Sequence, residues 1–532
     1  MDMKQIATTP IAAEPQFFLI GGGIASMAAA AFLIRDGGIA GRQITILEEF
    51  PLLGGSLDGA ASPENGYVLR GGRMLESKYL CTFDLFSSIP NLDKSKSVTQ
   101  EIFDWNETLQ TSSHSRLVRH GKPEDAPEFG LAEKHILALE LLMLEPESLL
   151  RKNSIADHFE PSFFETNFWL MWCTTFAFQP WHSAIELKRY LLRFTHMVAG
   201  FNRLQGIMRT VYNQYDSLVL PLQAWLSQHG VNLECNTRVT GLAISEKAGR
   251  KQIEKILCQG GEIDVSPKDH VIVTLGSMTE SSSLGSTDSA PIVKDKPIEA
   301  SWSLWEKLAA SHPELGRPSV FSSHVDESKW LSFTTTLHDP AFFQTVRDFT
   351  GNVPGEGGLI TLADSPWLMS IVLPHQPHFI GQPDGVNVFW GYGLFIDRPG
   401  NFVRKPMSAC TGREIMTELL CHFEVGASAS RIMETATCIP CFMPFITSQF
   451  LRREKGDRPE IIPDGWDNFA VTGQFCEQPD DVVFTVEYSV RAAQTAVYKL
   501  LGLNREPPPV FKGQYNPRTI FEAFLALHDY AL

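Results

Sequence analysis

The hexapeptide Gly21-Gly22-Gly23-Ile24-Ala25-Ser26, set between the apolar run FFLI and the alanine-rich stretch that follows, constrains the fold more than any other feature of the chain. Glycines at its first and third positions permit a tight strand-to-helix turn. They also let a pyrophosphate approach the backbone and meet the free N–H groups of a helix N-terminus. Ser26 stands where a last glycine is usual and is small enough to keep helix and strand close. Such a motif is weak alone, but a second strand, QITILEEF, follows and ends in Glu48 and Glu49, about where a carboxylate accepts from ribose hydroxyls. A carboxylate there repels a ribose 2′-phosphate, which disfavours NADP. The pattern predicts a doubly wound, Rossmann-like α/β domain.

Of the remaining dinucleotides, FAD is favoured over NAD. A flavin dinucleotide is long and needs further loops to cover its pyrophosphate and ring, some of them late in the chain. The sequence offers GGSLDG with Gly55 and Ser56, RGGR (Arg70, Gly71, Gly72, Arg73) followed by Met74, the turn at Gly276 and Ser277, and TGQFCEQPDDVVFTVEYSVRAA with Phe475, Glu477, Thr485 and Ser489. Each sets small residues beside charges. Together with Gly21, Gly23, Ala25, Ser26, Glu48 and Glu49 these are the predicted cofactor-binding residues.

Other function classes are disfavoured by composition. A net charge of −16 argues against nucleic acid as a partner, because phosphate neutralisation needs a basic surface. The first thirteen residues lack the basic start and apolar run of a secretory signal, and no stretch reaches the roughly 18 to 20 apolar residues of a membrane helix. Nine scattered cysteines fit a reducing compartment, so a cytoplasmic protein is expected. Cys438 and Cys441 share a C-x-x-C spacing but lack the strand-to-helix turn of a redox pair or a second half-site for zinc.

The longer motifs carry a resemblance. LIGGGIAS, ITILEE, GGSLDG, GYVLRGGR, NFWLMWCTTFAFQPWHSAIELKRYLLRF, YNQYDSLVLPL, GSMTESS, GDRPEIIP and VVFTVEYSVR together resemble the oleate hydratases, once labelled myosin-cross-reactive antigens, over nearly the whole chain. The resemblance implies a hydro-lyase that adds water across the cis double bond of a free unsaturated fatty acid, oleate to 10-hydroxystearate being the prototype. It implies no net redox change and an FAD most effective when reduced. It also implies that Tyr190, in ELKRYLLRF, donates the proton.

At the position expected to activate water the chain departs from the resemblance. Most relatives carry a glutamate directly after RGGR, and here Met74 stands in that place. A thioether takes no proton from water near neutral pH. The expectations are Glu76 as the base, a water ordered by flavin or backbone, or loss of ordinary activity. The resemblance assigns the substrate carboxylate to Gln214 and His378. The accompanying threonine and asparagine positions read Val372 and Pro374, so His375 is expected to rebuild that contact. His375 and His378 as metal ligands lack a third partner, and no metal is expected. Phe163, Phe164, Phe168, Trp169, Trp172, Phe176, Phe178 and Trp181 could line the substrate channel, although helical aromatics at this density are more often simple core.

The expected architecture is an FAD-binding domain assembled from discontinuous segments (1–110, 214–290 and 461–505). A mainly helical insertion (111–213) covers the channel, a mixed α/β substrate domain spans 291–460, and a C-terminal helix lies in 506–532. Within these, 111–130 reads as a loop and 276–296 as a linker. The short terminal arms favour a monomer, with transient contact to a membrane surface left open. Two rival classes remain: a flavin oxidoreductase or isomerase acting on a lipid, which the same fold would serve, and a lipid-binding flavoprotein with weakened catalysis.

Overall fold

A computed structural model describes residues 14–60 and 64–530. Residues 1–13, read above for a secretory signal, lie outside them. Five parallel strands form the first sheet in the order Phe469–Thr472, His270–Thr274, Phe17–Ile20, Ile44–Leu47, Asn232–Glu234. The central strand Phe17–Ile20 and the edge strand Phe469–Thr472 are buried throughout, and the strands between and beside them are mostly so, as a parallel sheet covered on both faces requires. One cover is the helix Ile24–Arg35, whose residues from Ile24 to Leu33 are all buried. Its four consecutive alanines let it pack closely against the helix Val486–Leu500, which is capped by Thr485 accepting from Tyr488 N.

The sheet is thus built from segments far apart in sequence, as expected of a discontinuous dinucleotide domain. A three-stranded antiparallel meander (Val239–Lys247, Arg250–Cys258, Gly261–Asp264) extends from it.

An eight-stranded mixed sheet forms the second layer, in the order Ser283–Leu284, Ala436–Met443, Trp330–Leu337, Asn387–Gly393, Met369–Val372, Leu359–Leu362, Ser115–Arg119, Lys122–Asp125. Two expected boundaries are corrected here. Residues 111–130 are not simply a loop, because they form an edge hairpin of this sheet, so the insertion 111–213 is not purely helical. Ser283–Leu284, within the expected linker, pairs with Phe442 and Cys441. One face of the sheet packs on the main core, and the other covers a second core with the helices Ala341–Thr350 and Gly412–His422. Cys441 belongs to the first core and Cys438 to the second, so the C-x-x-C spacing places the two thiols on opposite faces.

Among the described residues no helix is long and apolar enough to cross a membrane.

Candidate active site

In the parallel sheet the chain runs from Phe17–Ile20 to neighbours on both sides. Its carboxyl edge there opens a crevice, the place where doubly wound sheets take ligands. A cleft of about 370 Å³ occupies it, bounded by Gly21–Ala25, Leu47–Leu52, Gly55, Ser56, Asp58, Arg70, Thr274, Gly276–Thr279, Gly473–Phe475 and Ser489.

Its floor has the features of a pyrophosphate cradle. Gly21 has φ +98, a conformation that side chains rarely adopt. A Cβ on Gly22 would lie 2.5 Å from Leu53 Cδ2 and 2.7 Å from Glu48 Oε2. The helix Ile24–Arg35 starts at Gly23 with no side-chain cap and no acidic residue in its first turn, so its N–H groups are free for an anion. Glu48 accepts from Gly22 N (2.5 Å) and from Phe50 N (2.8 Å), and burial pushes its pKa up.

The residues present therefore fit a dinucleotide. Gly21, Gly23, Ala25, Glu48, Gly55, Ser56, Arg70, Gly276, Ser277, Phe475 and Ser489 of the predicted set face the cleft. Glu49 also borders it, but its carboxylate is engaged by Arg238 (3.1 Å) and Ala300 N (2.9 Å).

Several predicted residues do other work. Ser26 is buried and ties its helix to the sheet through Thr274 (3.0 Å). Glu477 is spent on Arg189 (2.9 Å) and Arg453 (3.0 Å), away from the cleft. Thr485 is a helix cap. Gly71 and Met74 border neither cavity, and Met74 packs against the core.

The RGGR stretch separates two cavities. The ribbon of Gly59–Ala60 and Val68–Leu69 lies on the eight-stranded sheet, where Tyr67 N and Leu69 N each donate to a threonine of Trp330–Leu337 at 2.9 Å. The chain emerging from it puts Arg70 into the first cleft, paired with Asp58 (2.7 Å). Gly72 and Arg73 border a second, smaller cavity of about 40 Å³. That cavity brings together Gln214, His375 and His378 with Val372, Pro374, Trp105, Trp390 and Arg209. Gln214 Nε2 donates to Arg73 O (2.9 Å), which fastens the flavin-side loop to the second cavity. Burial holds His378 down to about 3, helped by the charges of Arg209 and His375. Among the described residues no cluster of three potential metal ligands occurs.

Tyr190 lies on the helix Ala184–Arg193, almost fully buried among Phe176, Phe178, Phe194 and Phe450. Its hydroxyl donates to Val483 O (2.6 Å), on the loop that follows the cleft residues 473–475. Its pKa is pushed well above the tyrosine range, chiefly by burial and then by neighbouring acidic groups. Arg73 opposes this. Arg73 in turn is held down to about 10 by burial, with Asp58 and Tyr190 as the groups that favour its charge. Tyr190 borders neither cavity, but Arg73, which borders the second, couples it electrostatically to Asp58 at the first.

Glu76 does not join this group. Its carboxylate is buried against Arg193 (3.0 Å) and His196 (3.4 Å) and accepts from Lys78 N (2.7 Å). Burial alone would raise its pKa, but these partners outweigh burial and lower it. These partners favour the charged carboxylate, and Glu76 borders neither cavity. The rings of the aromatic belt pack on one another, as Phe168 on Trp172 at 5.4 Å, and border neither cavity; all but Trp181 belong to the main core or pack against it, the reading preferred from the sequence.

Sequence reading missed Asp58, Gln474 and Arg209. The first two lay inside quoted motifs. The third was a lone arginine five residues before Gln214.

A model of the MCRA family matches residues 14–498. An oleate hydratase of Streptococcus pyogenes serotype M49 (strain NZ131) is 40% identical, with 96% of this chain and 89% of that protein covered. A linoleate hydratase of Lactiplantibacillus plantarum is 32% identical, with 96% and 98% covered. Among solved structures, a cyclohexylamine oxidase from Brevibacterium oxydans IH-35A superposes with a TM-score of 0.55 at 12% identity, covering 93% of this chain and all of that one. A putrescine oxidase superposes with a TM-score of 0.52 at 11% identity, covering 92% and 99%. These oxidases share the fold alone. With a family model over residues 14–498 and a relative 40% identical across 96% of its length, the chain belongs to the MCRA family.

Proposed function

We propose that the protein is an FAD-dependent hydratase that adds water to the cis double bond of a free unsaturated fatty acid, in the manner of oleate to 10-hydroxystearate. The observation that carries this reading is the Tyr190 hydroxyl, held protonated in an aromatic enclosure within reach of the charge of Arg73, which itself borders the polar end pocket. Hydration of an isolated alkene needs a proton donor in a site dry enough for charge to matter, then water at the cation that develops.

The N–H groups after Gly23 would hold the pyrophosphate, Glu48 the ribose hydroxyls, and Arg70, Ser277 and Phe475 the flavin end of the cleft. Bound there, the flavin supplies shape and charge without net redox change, its reduced form being the more active. Tyr190 releases its proton toward the alkene when substrate displaces the hydroxyl from Val483 O. The Arg73 cation stabilises the phenolate left behind. Since Met74 cannot act as a base and Glu76 is spent on Arg193, protonation by Tyr190 carries most of the acceleration.

The deciding experiment is incubation with oleate, FAD and a reductant in ¹⁸O-labelled water, followed by mass spectrometry. One labelled hydroxyl per product is expected, and flavin reduction by the lipid with no label incorporated would overturn the reading. Met74 favours one second reading, a lipid-binding flavoprotein of weakened catalysis. It predicts bound oleate with no product.

A further inference from the structure

The small cavity beyond RGGR holds a charge with no counterpart. Arg209 is partly buried as a whole, but its Nε and Nη2 are inaccessible to solvent and, among the described residues, have no hydrogen-bond partner. Among the described residues no acidic group offsets this burial, which draws its pKa down to about 10. The side chain is not adrift. Asn106 clamps its backbone on both sides, accepting from Arg209 N (2.9 Å) and donating to Arg209 O (2.8 Å). The preceding Ile207–Met208 pairs with Leu75–Glu76, one residue beyond RGGR. The guanidinium therefore borders the cavity from a fixed base, beside Gln214 and His378.

Burying an unpaired cation is costly, so a fold that keeps one fits a ligand that completes it. The other walls narrow the choice of ligand. Val372 and Pro374 offer no side-chain donor, and Gln214 already spends an N–H on Arg73 O. The rest of the wall includes Trp105, Leu109 and Trp390. A guanidinium set in such a wall suits a carboxylate at the end of an apolar chain, gripped through two N–H groups.

We propose that Arg209 is the residue that selects a free acid, forming the ion pair with the fatty-acid head group that neutral hydrogen bonds cannot supply here. This rests on the fatty-acid reading above. A neutral head group of the same chain leaves the guanidinium buried and unpaired, so esters and alcohols are rejected by the cost of that state rather than by shape.

The test uses the flavin-loaded protein and measures binding separately from turnover, by calorimetry with oleate and with oleyl alcohol. The wild type is expected to prefer oleate. Arg209→Gln is expected to weaken oleate about 10- to 100-fold and leave oleyl alcohol within about twofold, with Arg209→Lys in between. Flavin content and Tm should hold or rise, since an unpaired buried charge is relieved. Equal losses for both ligands, or no loss for oleate, overturn the proposal. Should Arg209→Gln fail to fold, the wild-type preference and the lysine variant decide it. Tight, Arg209-dependent oleate binding without hydration would sink the hydratase reading and leave this inference standing. Hydration without head-group discrimination would do the reverse.

Discussion

Replacing Tyr190 with phenylalanine removes one oxygen and leaves the ring among Phe176, Phe178, Phe194 and Phe450. The structural cost is the 2.6 Å hydrogen bond to Val483 O, whose carbonyl is left without that donor. An acceptor stranded in this way costs about 1–3 kcal/mol. In a chain of this size each kcal/mol moves Tm by about 2–4 °C at most, so a modest drop is expected. The catalytic cost is of another order. A general acid contributes about 10²–10⁴-fold, or about 3–5 kcal/mol of barrier.

The assay is product formation at saturating oleate, normalised to bound flavin, beside a thermal melt of the same sample. Because burial, with nearby acidic groups, keeps the Tyr190 proton on above the ordinary tyrosine range, its loss should not cut the wild-type rate on the alkaline side up to about pH 9. A Tyr190→Phe enzyme with kcat within about threefold of wild type would refute the donor assignment, whatever happened to Tm.

The helix bearing Tyr190 is anchored one turn earlier by Glu186, paired with Arg453 (2.7 Å) and Arg458 (3.1 Å). Burial opposes its ionisation, but the arginines win and hold its pKa at about 2. The folded value lies below the unfolded one, so this group's contribution, about 3 kcal/mol, is complete above about pH 4.5 and is lost as pH falls toward 2. Glu186→Gln should cost about 3–5 kcal/mol and flatten that acid limb in a urea titration. Gly22→Ala should purify with several-fold less flavin by absorbance, because its Cβ collides with Leu53 and Glu48, whereas Gly261→Ala, with open space around it, should match wild type. Glu76→Gln should lower Tm, since Arg193 loses a partner, yet keep kcat per flavin within about threefold. A loss of about 10²-fold or more would restore Glu76 as the base.

Much of the fold was legible because its signals are local. The FFLI–GGG–alanine sequence writes strand, turn and helix within twenty residues, and HVIVT and FAVT read as buried strands on the same grounds. The hairpin at 115–125 was not legible. Its outer strand, KPED, is polar with partly exposed side chains, so it carries no apolar alternation. Glu48 and Glu49 are adjacent and chemically alike, yet one supports the cradle and the other binds Arg238, because successive residues leaving a strand face different neighbours.

The sequence by itself determined that a glycine turn follows the first strand of a parallel sheet assembled from scattered segments, and through long motifs it pointed to Tyr190, Gln214 and His378. Only the tertiary structure decided what each charge is for. Glu76 and Glu477 look catalytic or cofactor-binding beside their motifs until arginines from distant segments neutralise them. Arg209 looks ordinary until its surroundings are seen to hold nothing that does. The physical reason is that backbone conformation is largely set by neighbours in the chain, whereas ionisation and pairing are set by whatever folding brings within a few ångströms, and one amino-acid string does not display that distance.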